Sequence, residues 1–253
     1  MTATLLFAGR SVRRISRSPD VVVSTVIFPL LLLLTLHAVF SSAVESFEDG
    51  AAYGQRLVPT LVFSGVMFGA IGTSAGILTE LENGWIDRLR SMPLNPLSPL
   101  AGTILGETVR AVAAVIVLAG IGYLFDFRFH AGVLPSIGFV LVAMAAAIAV
   151  GCVGAYLATT ASSREALLGP LNAVFLLLLF LSRGMVPLEA YPGWVQPVVR
   201  YNPATAYVDL LDRLARGGAL VGPTLVVVAW TVGFVVVFGV LAARRLGRQS
   251  SAT

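Results

Sequence analysis

The sequence contains no lysine, so all 17 of its basic side chains are arginines. A nucleotide-binding P-loop places a lysine on the phosphates of its nucleotide, and this chain lacks that residue. Charged residues of either sign make up only 12% of the 253 residues, about half of the usual share in soluble proteins. A chain so poor in charge cannot cover a water-facing surface. The sequence therefore predicts a membrane protein that does not hydrolyse ATP by the P-loop route.

Cysteine occurs once, at Cys152, and histidine twice, at His37 and His130. A single thiol excludes an internal disulfide and a thiolate metal cluster. The two histidines have no acidic cluster near them in the sequence, which makes a poor metal site. We therefore expect no metal on this chain and interpret both histidines as polar side chains near the outer ends of spans.

Apolar residues make up 57% of the chain and are concentrated in six stretches long enough to cross a bilayer. The predicted fold is an all-α integral membrane protein with six transmembrane helices in one domain, residues 1–253. Arginines are more numerous on the side that would hold both chain ends, which places both termini in the cytoplasm. The predicted spans are residues 20–40, 57–79, 101–125, 133–159, 167–187 and 221–243.

The segment 1–19 carries four arginines on one helical face and apolar residues on the opposite face. This pattern predicts an amphipathic helix lying on an anionic membrane surface. A plain basic flank of the first span is the alternative. No small-residue cleavage site follows the apolar run after Pro19, so we do not interpret the segment as a secretion signal. The four arginines are Arg10, Arg13, Arg14 and Arg17.

Charged side chains inside a span are costly unless they are paired. Glu107 and Arg110 are three residues apart in the third predicted span and can neutralise each other. Arg183, near the outer end of the fifth, can extend towards the interface. No isolated carboxylate lies in mid-span, which argues against a proton-coupled carrier.

The pattern G-x-S-x-G around Ser74 fits a serine hydrolase, but it lies in an apolar helix, where small residues favour helix packing.

The loop between the second and third spans has the strongest local pattern. Leu81, Trp85, Leu89 and Met92 share one helical face, and prolines stop the helix directly afterwards. We predict a short amphipathic helix over residues 80–93 that lies parallel to the bilayer and seats in a groove on a partner. A surface helix resting on lipid is the alternative that the residues leave open.

Residues 188–220, between the fifth and sixth spans, are too polar and too rich in proline to cross the membrane. Asn202 followed by Pro203 predicts the start of a helix, and Gly217-Gly218 predicts its end. We expect short re-entrant helices that dip into the outer leaflet as a lid over an exit. A loop packed on the bundle is the alternative.

Side chains within this outer segment support that interpretation. Two acid–arginine pairs at i, i+4 spacing, Asp209 with Arg213 and Asp212 with Arg216, favour a helix. Four aromatic side chains suit the membrane interface. They are Tyr191, Trp194, Tyr201 and Tyr207.

Two motifs resemble those of ABC type-2 transporter permeases, in particular the antibiotic-resistance, daunorubicin-exporter-like branch. The first, Glu82-x-Gly84-x-x-Asp87-Arg88-Leu89-Arg90-x-x-Pro93, is similar to the family's cytoplasmic-loop motif. The second runs from Leu181 to Pro197, continues in Tyr201-Asn-Pro-Ala-Thr, and is similar to the stretch between the last two spans. The resemblance covers essentially the whole chain. Arg183 departs from it, because the family more often has a small or polar residue there.

The resemblance implies the permease subunit of an ATP-driven exporter, whose coupling helix at 80–93 docks on a separate ATPase subunit. That partner would hold ATP and magnesium, and this chain would bind no cofactor. A second permease, a copy or a paralogue, would complete the pathway in a bacterial inner (plasma) membrane. Lipid would be a further partner, and nucleic acid would not. The implied ATPase contacts are Leu81, Glu82, Gly84, Trp85, Asp87, Arg88, Leu89, Arg90, Met92 and Pro93.

The resemblance also implies an outer gate and a substrate path. Gate candidates are Arg183, Pro187, Trp194, Tyr201, Asn202 and Pro203. An apolar, aromatic path suits an amphipathic or hydrophobic substrate such as a drug, a polyketide or a lipid, although core packing explains the same residues equally well. Path candidates are Phe28, Phe63, Phe68, Asn172, Phe175 and Phe180.

Two other classes of function stay open. A stand-alone secondary transporter should run on an ion gradient without a partner and often has inverted repeats, which this sequence does not display. An intramembrane enzyme should lose its activity when Ser74 or His37 is changed. The resemblance favours the permease over both.

Overall fold

The computed structural model describes residues 53–83 and 98–249, together with five isolated positions between residues 27 and 35. Every regular element in these residues is helical. The predicted interfacial helix at 1–19, most of the first predicted span at 20–40 and most of the predicted coupling helix lie outside the described residues. The fold is therefore built from the second predicted span onward.

Eight α-helices follow one another in the described residues. They are α1 (Tyr53–Glu82), α2 (Ser98–Gly122), α3 (Val133–Thr160), α4 (Arg164–Phe180), α5 (Gln196–Tyr201), α6 (Pro203–Arg216), α7 (Val221–Phe234) and α8 (Val240–Gln249). Short 3-10 turns cover Tyr123–Phe125 and Leu188–Ala190, and a π-helical turn, Val235–Gly239, joins α7 to α8 in one continuous rod.

Four helical stretches among the described residues are long and apolar enough to cross a membrane. They agree closely with the second, third, fourth and sixth predicted spans, because long uninterrupted apolar runs leave little freedom in where a span begins and ends. The largest difference lies at the end of the second, predicted at 79 and observed at Glu82. The stretches are Leu57–Glu82, Gly102–Phe125, Val133–Thr160 and Val221–Arg245.

The fifth predicted span, residues 167–187, has its outer end in the wrong place. α4 covers Arg164–Phe180, 17 residues, and at 1.5 Å per residue it is about 25 Å long. The chain then turns over residues 181–187. Within that turn Gly184 packs so closely on α1 and α6 that a Cβ would have no room. The prediction failed because apolar residues return at 185–187 after the backbone has left the helix.

α1 lies at the centre of the bundle and packs against α2, α3, α4 and α6. Its residues from Leu57 to Met67 are all buried, which an almost wholly apolar sequence permits. The rod of α7 and α8 is exposed along most of its length and meets the bundle through α3 and α6. An exposed apolar surface of this extent needs lipid or another protein to cover it.

Small residues let α1 and α3 approach each other. A Cβ on Gly154 of α3 would overlap the hydroxyl of Ser74 in α1. That hydroxyl is buried and donates a hydrogen bond to the carbonyl oxygen of Ala70, with an O–O distance of 2.6 Å. Ser74 therefore serves helix packing, as its place in an apolar helix predicted.

The connection between α2 and α3 is fastened to both neighbours. Phe127 is fully buried within a cluster of aromatic rings. Gln55 of α1 exchanges two hydrogen bonds with the backbone of Arg128, at 2.7 and 2.8 Å. The backbone N–H of His130 donates to the carbonyl oxygen of Ala215 in α6 at 2.8 Å. This side of the bundle is therefore closed by short polar contacts between α1, the connection and α6.

Candidate functional site

The beginning of the predicted coupling helix is the end of α1. Glu80, Leu81 and Glu82 continue that helix without a break, and Asn83 follows as a turn. Leu81 is half-buried against the core of the bundle, whereas Glu82 is exposed. The remaining residues, 84–93, lie outside the described residues. The docking of an ATPase on this segment stays a prediction.

Arg183 joins the turn after α4 to α6. Its Nη1 lies 3.2 Å from Oδ2 of Asp209, and its backbone N–H donates to the hydroxyl of Thr205 at 3.3 Å. The two charged side chains are about a third exposed, so the pair itself is worth roughly 1 kcal/mol or less. Nε of Arg183 is buried and has no hydrogen-bond partner in the described part of the chain. Arg183 thus has an acidic partner on the neighbouring helix, and its position at the membrane interface stays a prediction.

Asn202 fastens the start of α6 to the end of α4. Its Oδ1 accepts a hydrogen bond from the backbone N–H of Ala204 at 2.8 Å, which confirms the cap predicted from the Asn-Pro pair. Its Nδ2 donates to the carbonyl oxygens of Leu178 and Leu181, both at 2.7 Å. Carbonyl groups at the end of a helix have no partner within the helix. One buried side chain therefore satisfies polar groups at two helix ends.

The other gate candidates lie on the surface of the outer segment. Trp194 and Tyr201 are 81% and 75% exposed, and Pro187 is half-exposed. Tyr191 instead turns inward, where its hydroxyl donates to the carbonyl oxygen of Phe180 at 2.7 Å and burial raises its pKa. Exposed aromatic rings of this size suit a membrane interface or a contact with another subunit.

Tyr207 is buried, whereas its sequence neighbourhood suggested the membrane interface. Its ring stacks on Phe63 of α1 with 5.3 Å between centroids, and its hydroxyl lies 2.7 Å from that of Thr231 in α7. The residue thus links three helices. The sequence did contain a signal for this, because Ala204, Tyr207 and the other buried residues of α6 recur with helical spacing on one face.

The C-terminal end of α6 is as predicted. Nε of Arg216 donates to Oδ1 of Asp212 at 2.7 Å, the expected i, i+4 pair. Gly217 follows with a φ of 97°, a region that favours glycine, and its N–H donates to the carbonyl oxygen of Arg213 at 2.8 Å. The helix ends because this residue can leave the right-handed conformation at little cost.

The described path candidates belong to α1 and α4, which pack against each other. Phe63 and Phe175 are buried in the core, Phe68 is half-buried, and Phe180 is 54% exposed. The amide of Asn172 is half-buried and donates to the carbonyl oxygen of Leu168 in its own helix at 2.8 Å. Phe28 lies outside the described residues. The structure therefore brings these residues onto adjoining helices, and their lining of a path stays a prediction.

Glu107 and Arg110 form the predicted ion pair within α2. Both side chains are almost completely buried, at 1% and 4% exposure. Nε of Arg110 donates to Oε2 of Glu107 at 3.0 Å, and its Nη2 contacts the same oxygen. The second carboxylate oxygen, Oε1, is buried and has no hydrogen-bond partner in the described part of the chain. An acidic and a basic side chain are thus buried beside each other inside an apolar bundle.

The residues that the structure describes include no group of three histidine, cysteine, aspartate or glutamate side chains placed to hold a metal ion. Cys152 is buried in α3, with its sulfur against Gly239. His130 is exposed in the connection between α2 and α3. These side chains do not come together as a site.

Long apolar helices packed around a buried α1 define a multi-pass integral membrane protein. Residues 2–213 match the ABC-2 type transporter family, which is most of the chain, and the protein belongs to that family.

Curated relatives agree over nearly the full length. The chain is 28% identical to the probable doxorubicin resistance ABC transporter permease protein DrrC of Mycobacterium tuberculosis, over 98% of this chain and 89% of DrrC. It is 30% identical to the daunorubicin resistance ABC transporter permease protein DrrB1 of Streptomyces coeruleorubidus, over 96% of this chain and 86% of DrrB1. This chain is a membrane permease of an ABC transporter and works as part of that complex.

Proposed function

We propose that this chain moves an amphipathic or hydrophobic compound outward across a bacterial inner membrane, as the permease of an ATP-driven exporter. The observation that carries the proposal is the similarity, over 96% or more of the chain, to permeases named for doxorubicin and daunorubicin resistance. A separate ATPase subunit would bind ATP and magnesium and hydrolyse the nucleotide. The absence of lysine, which a P-loop requires, supports this division of labour.

In this proposal the coupling helix at 80–93 transmits the ATPase movement to the bundle. α1 and α2 are the two helices that this segment connects in the sequence. α1 also packs against α3, α4 and α6, so a displacement of α1 reaches most of the bundle. A second permease, either a copy or a paralogue, would supply the other half of the pathway.

The outer gate would move as one body with α4 and α6. Asn202 ties the start of α6 to the carbonyl oxygens of Leu178 and Leu181, and Arg183 pairs with Asp209. A lid hinged at residues 181–187 would break all of these contacts at once. Opening by displacement of whole helices keeps them, which favours a rigid gate over a flexible lid.

Co-purification of the ATPase with the Trp85→Ala variant tests the proposal. Trp85 lies on the predicted apolar face with Leu81, Leu89 and Met92, and truncating a buried interface aromatic often costs about 2 kcal/mol or more. The complex should then be about 30-fold weaker. Trp194→Ala is the matched control, because it makes the same change at an exposed position in the outer segment.

The expected result is that Trp194→Ala retains the ATPase and Trp85→Ala loses it, while both permeases insert into the membrane. Gly84→Leu should also lose the ATPase or its stimulation, because a side chain there would hinder the turn into the helix. Full binding, hydrolysis and transport in both Trp85→Ala and Gly84→Leu would contradict the coupling role and leave the segment as a helix resting on lipid.

A further inference from the structure

The buried ion pair lies at the junction of three helices. Glu107 and Arg110 belong to α2. The guanidinium of Arg110 occupies the space above Gly69 of α1, where any Cβ would overlap it. The Cγ atom of Glu107 faces Gly151 of α3 and would lie 4.0 Å from a Cβ on that residue. The pair thus contacts α1 closely through Gly69, whereas a Cβ on Gly151 of α3 would be in ordinary contact with Glu107 and would lie nearer to Ile104, at 3.8 Å.

Stability does not account for this arrangement. An apolar pair of similar volume commonly stabilises a protein as well as a buried ion pair, or better, because it avoids the desolvation of two charges. The Oε1 atom of Glu107 adds a further cost, since it is buried without a hydrogen-bond partner among the described residues. A conformation that supplied a donor to Oε1 would be favoured over this one at that site.

The location of the pair connects it to the predicted coupling segment. α1 ends at Glu82 and α2 begins at Ser98, so the two helices flank that segment in the sequence. Glu107 lies about three turns into α2. A shift of α1 along α2 by less than one turn would take Gly69 from under the guanidinium, because the next glycines on that face, Gly65 and Gly72, lie a full turn away. Such a movement therefore changes the contact between Arg110 and α1.

We propose that Glu107 and Arg110 are positioning residues, which couple displacement of α1 against α2 to α3 during the transport cycle. The inference rests on the proposed function, since it assumes that an ATPase moves the segment between α1 and α2. The quantity that tests the inference is the amount of substrate moved per ATP hydrolysed. A purely structural role would change the amount of assembled complex and lower transport and hydrolysis in proportion. A coupling role lowers transport alone.

Gly69→Ala and Gly72→Ala form a matched pair of variants in α1. A Cβ at Gly69 displaces the guanidinium of Arg110 without changing any charge, whereas a Cβ at Gly72 meets nothing within 4 Å. The measurement is doxorubicin uptake and ATP hydrolysis in proteoliposomes that contain the permease and the ATPase that co-purifies with it. Gly72→Ala should match wild type. Gly69→Ala should keep its hydrolysis but move about tenfold less doxorubicin per ATP, within the usual range for coupling between sites.

Two further variants separate coupling from folding. Gly69→Ala combined with Arg110→Lys should recover part of the doxorubicin moved per ATP. An ammonium group is smaller than a guanidinium, so it leaves room for the Cβ, and it keeps the charge. Glu107→Met combined with Arg110→Met contains no buried charge, no unpaired polar group and no added bulk, so it should insert and assemble like wild type. Under the proposal this neutral pair also moves about tenfold less doxorubicin per ATP. If Gly69→Ala fails to insert into the membrane, this neutral double variant still tests the coupling role.

If the neutral double variant moves as much doxorubicin per ATP as wild type, the inference is wrong and Glu107 and Arg110 are packing residues. So would a loss of transport in Gly69→Ala that is matched by an equal loss of hydrolysis. A wild-type complex with no ATP-dependent transport is a different result, because it would overturn the proposed function and the inference with it. If wild type transports and the variants move the same amount of doxorubicin per ATP, the inference is wrong but the proposed function stands.

Discussion

Replacing Asn202 by alanine should loosen the outer segment from the bundle. The side chain makes three hydrogen bonds, one as the cap of α6 and two to the carbonyl oxygens of Leu178 and Leu181. Alanine removes all three and leaves two carbonyl oxygens in a buried environment. Serine would keep a cap oxygen but is too short to donate to α4. The two variants therefore separate the cap from the tie between helices.

The magnitude follows from these contacts. Loss of an N-cap costs about 1 kcal/mol, and each lost hydrogen bond costs about 1 kcal/mol as well. Asn202→Ala should then lower the free energy of unfolding by about 3 kcal/mol. Asn202→Ser, which keeps the cap, should lower it by about 2 kcal/mol. Asn172→Ala is the matched control, because Asn172 makes one hydrogen bond within its own helix and its loss should cost about 1 kcal/mol or less.

Equilibrium unfolding of the purified permease in mixed micelles of a mild detergent and sodium dodecyl sulfate measures these differences. The order of stability should be wild type, Asn172→Ala, Asn202→Ser and Asn202→Ala. Limited proteolysis should cut the region around residues 181–203 faster in Asn202→Ala than in Asn172→Ala. Equal unfolding free energies for the two alanine variants would refute the reasoning, because Asn202 would then hold no helix ends together.

Two other predictions concern the orientation and the outer surface. In a Cys152→Ala background, which removes the only native thiol, Arg164→Cys should react with a membrane-impermeant maleimide only from the cytoplasm and Arg200→Cys only from outside. The reverse pattern would overturn the assignment of both termini to the cytoplasm. The double variant Trp194→Ala, Tyr201→Ala should keep the ATPase bound but transport less, because both rings are exposed on the predicted gate. Unchanged efflux would demote the segment to a passive surface.

Local patterns along the chain were enough for a large part of the fold. Four of the predicted spans agree to within three residues at either end with the membrane-length apolar stretches. These stretches lie in α1, in α2 with the turn after it, in α3 and in the rod of α7 and α8. The start and end of α6 were predictable for a similar reason. An Asn-Pro pair and a glycine act through hydrogen bonds to residues two to four positions away, which are neighbours in any helix. The Glu107–Arg110 pair has the same origin, since residues three apart lie on one helical face.

Contacts between helices were beyond such patterns. Arg183 and Asp209 are 26 residues apart, and nothing in their spacing distinguishes this pair from other acid–arginine combinations. Gly184, in the turn after α4, fits between α1 and α6 only once those helices are in place. The contact of Arg110 with Gly69 likewise forms only when α1 and α2 are packed. The same packing buries the oxygen of Glu107 that has no hydrogen-bond partner among the described residues. Periodicity and caps determine each helix by itself, because they act within a turn or two. The partners of buried polar groups depend on the packing of whole helices, because the groups that meet are far apart in the sequence.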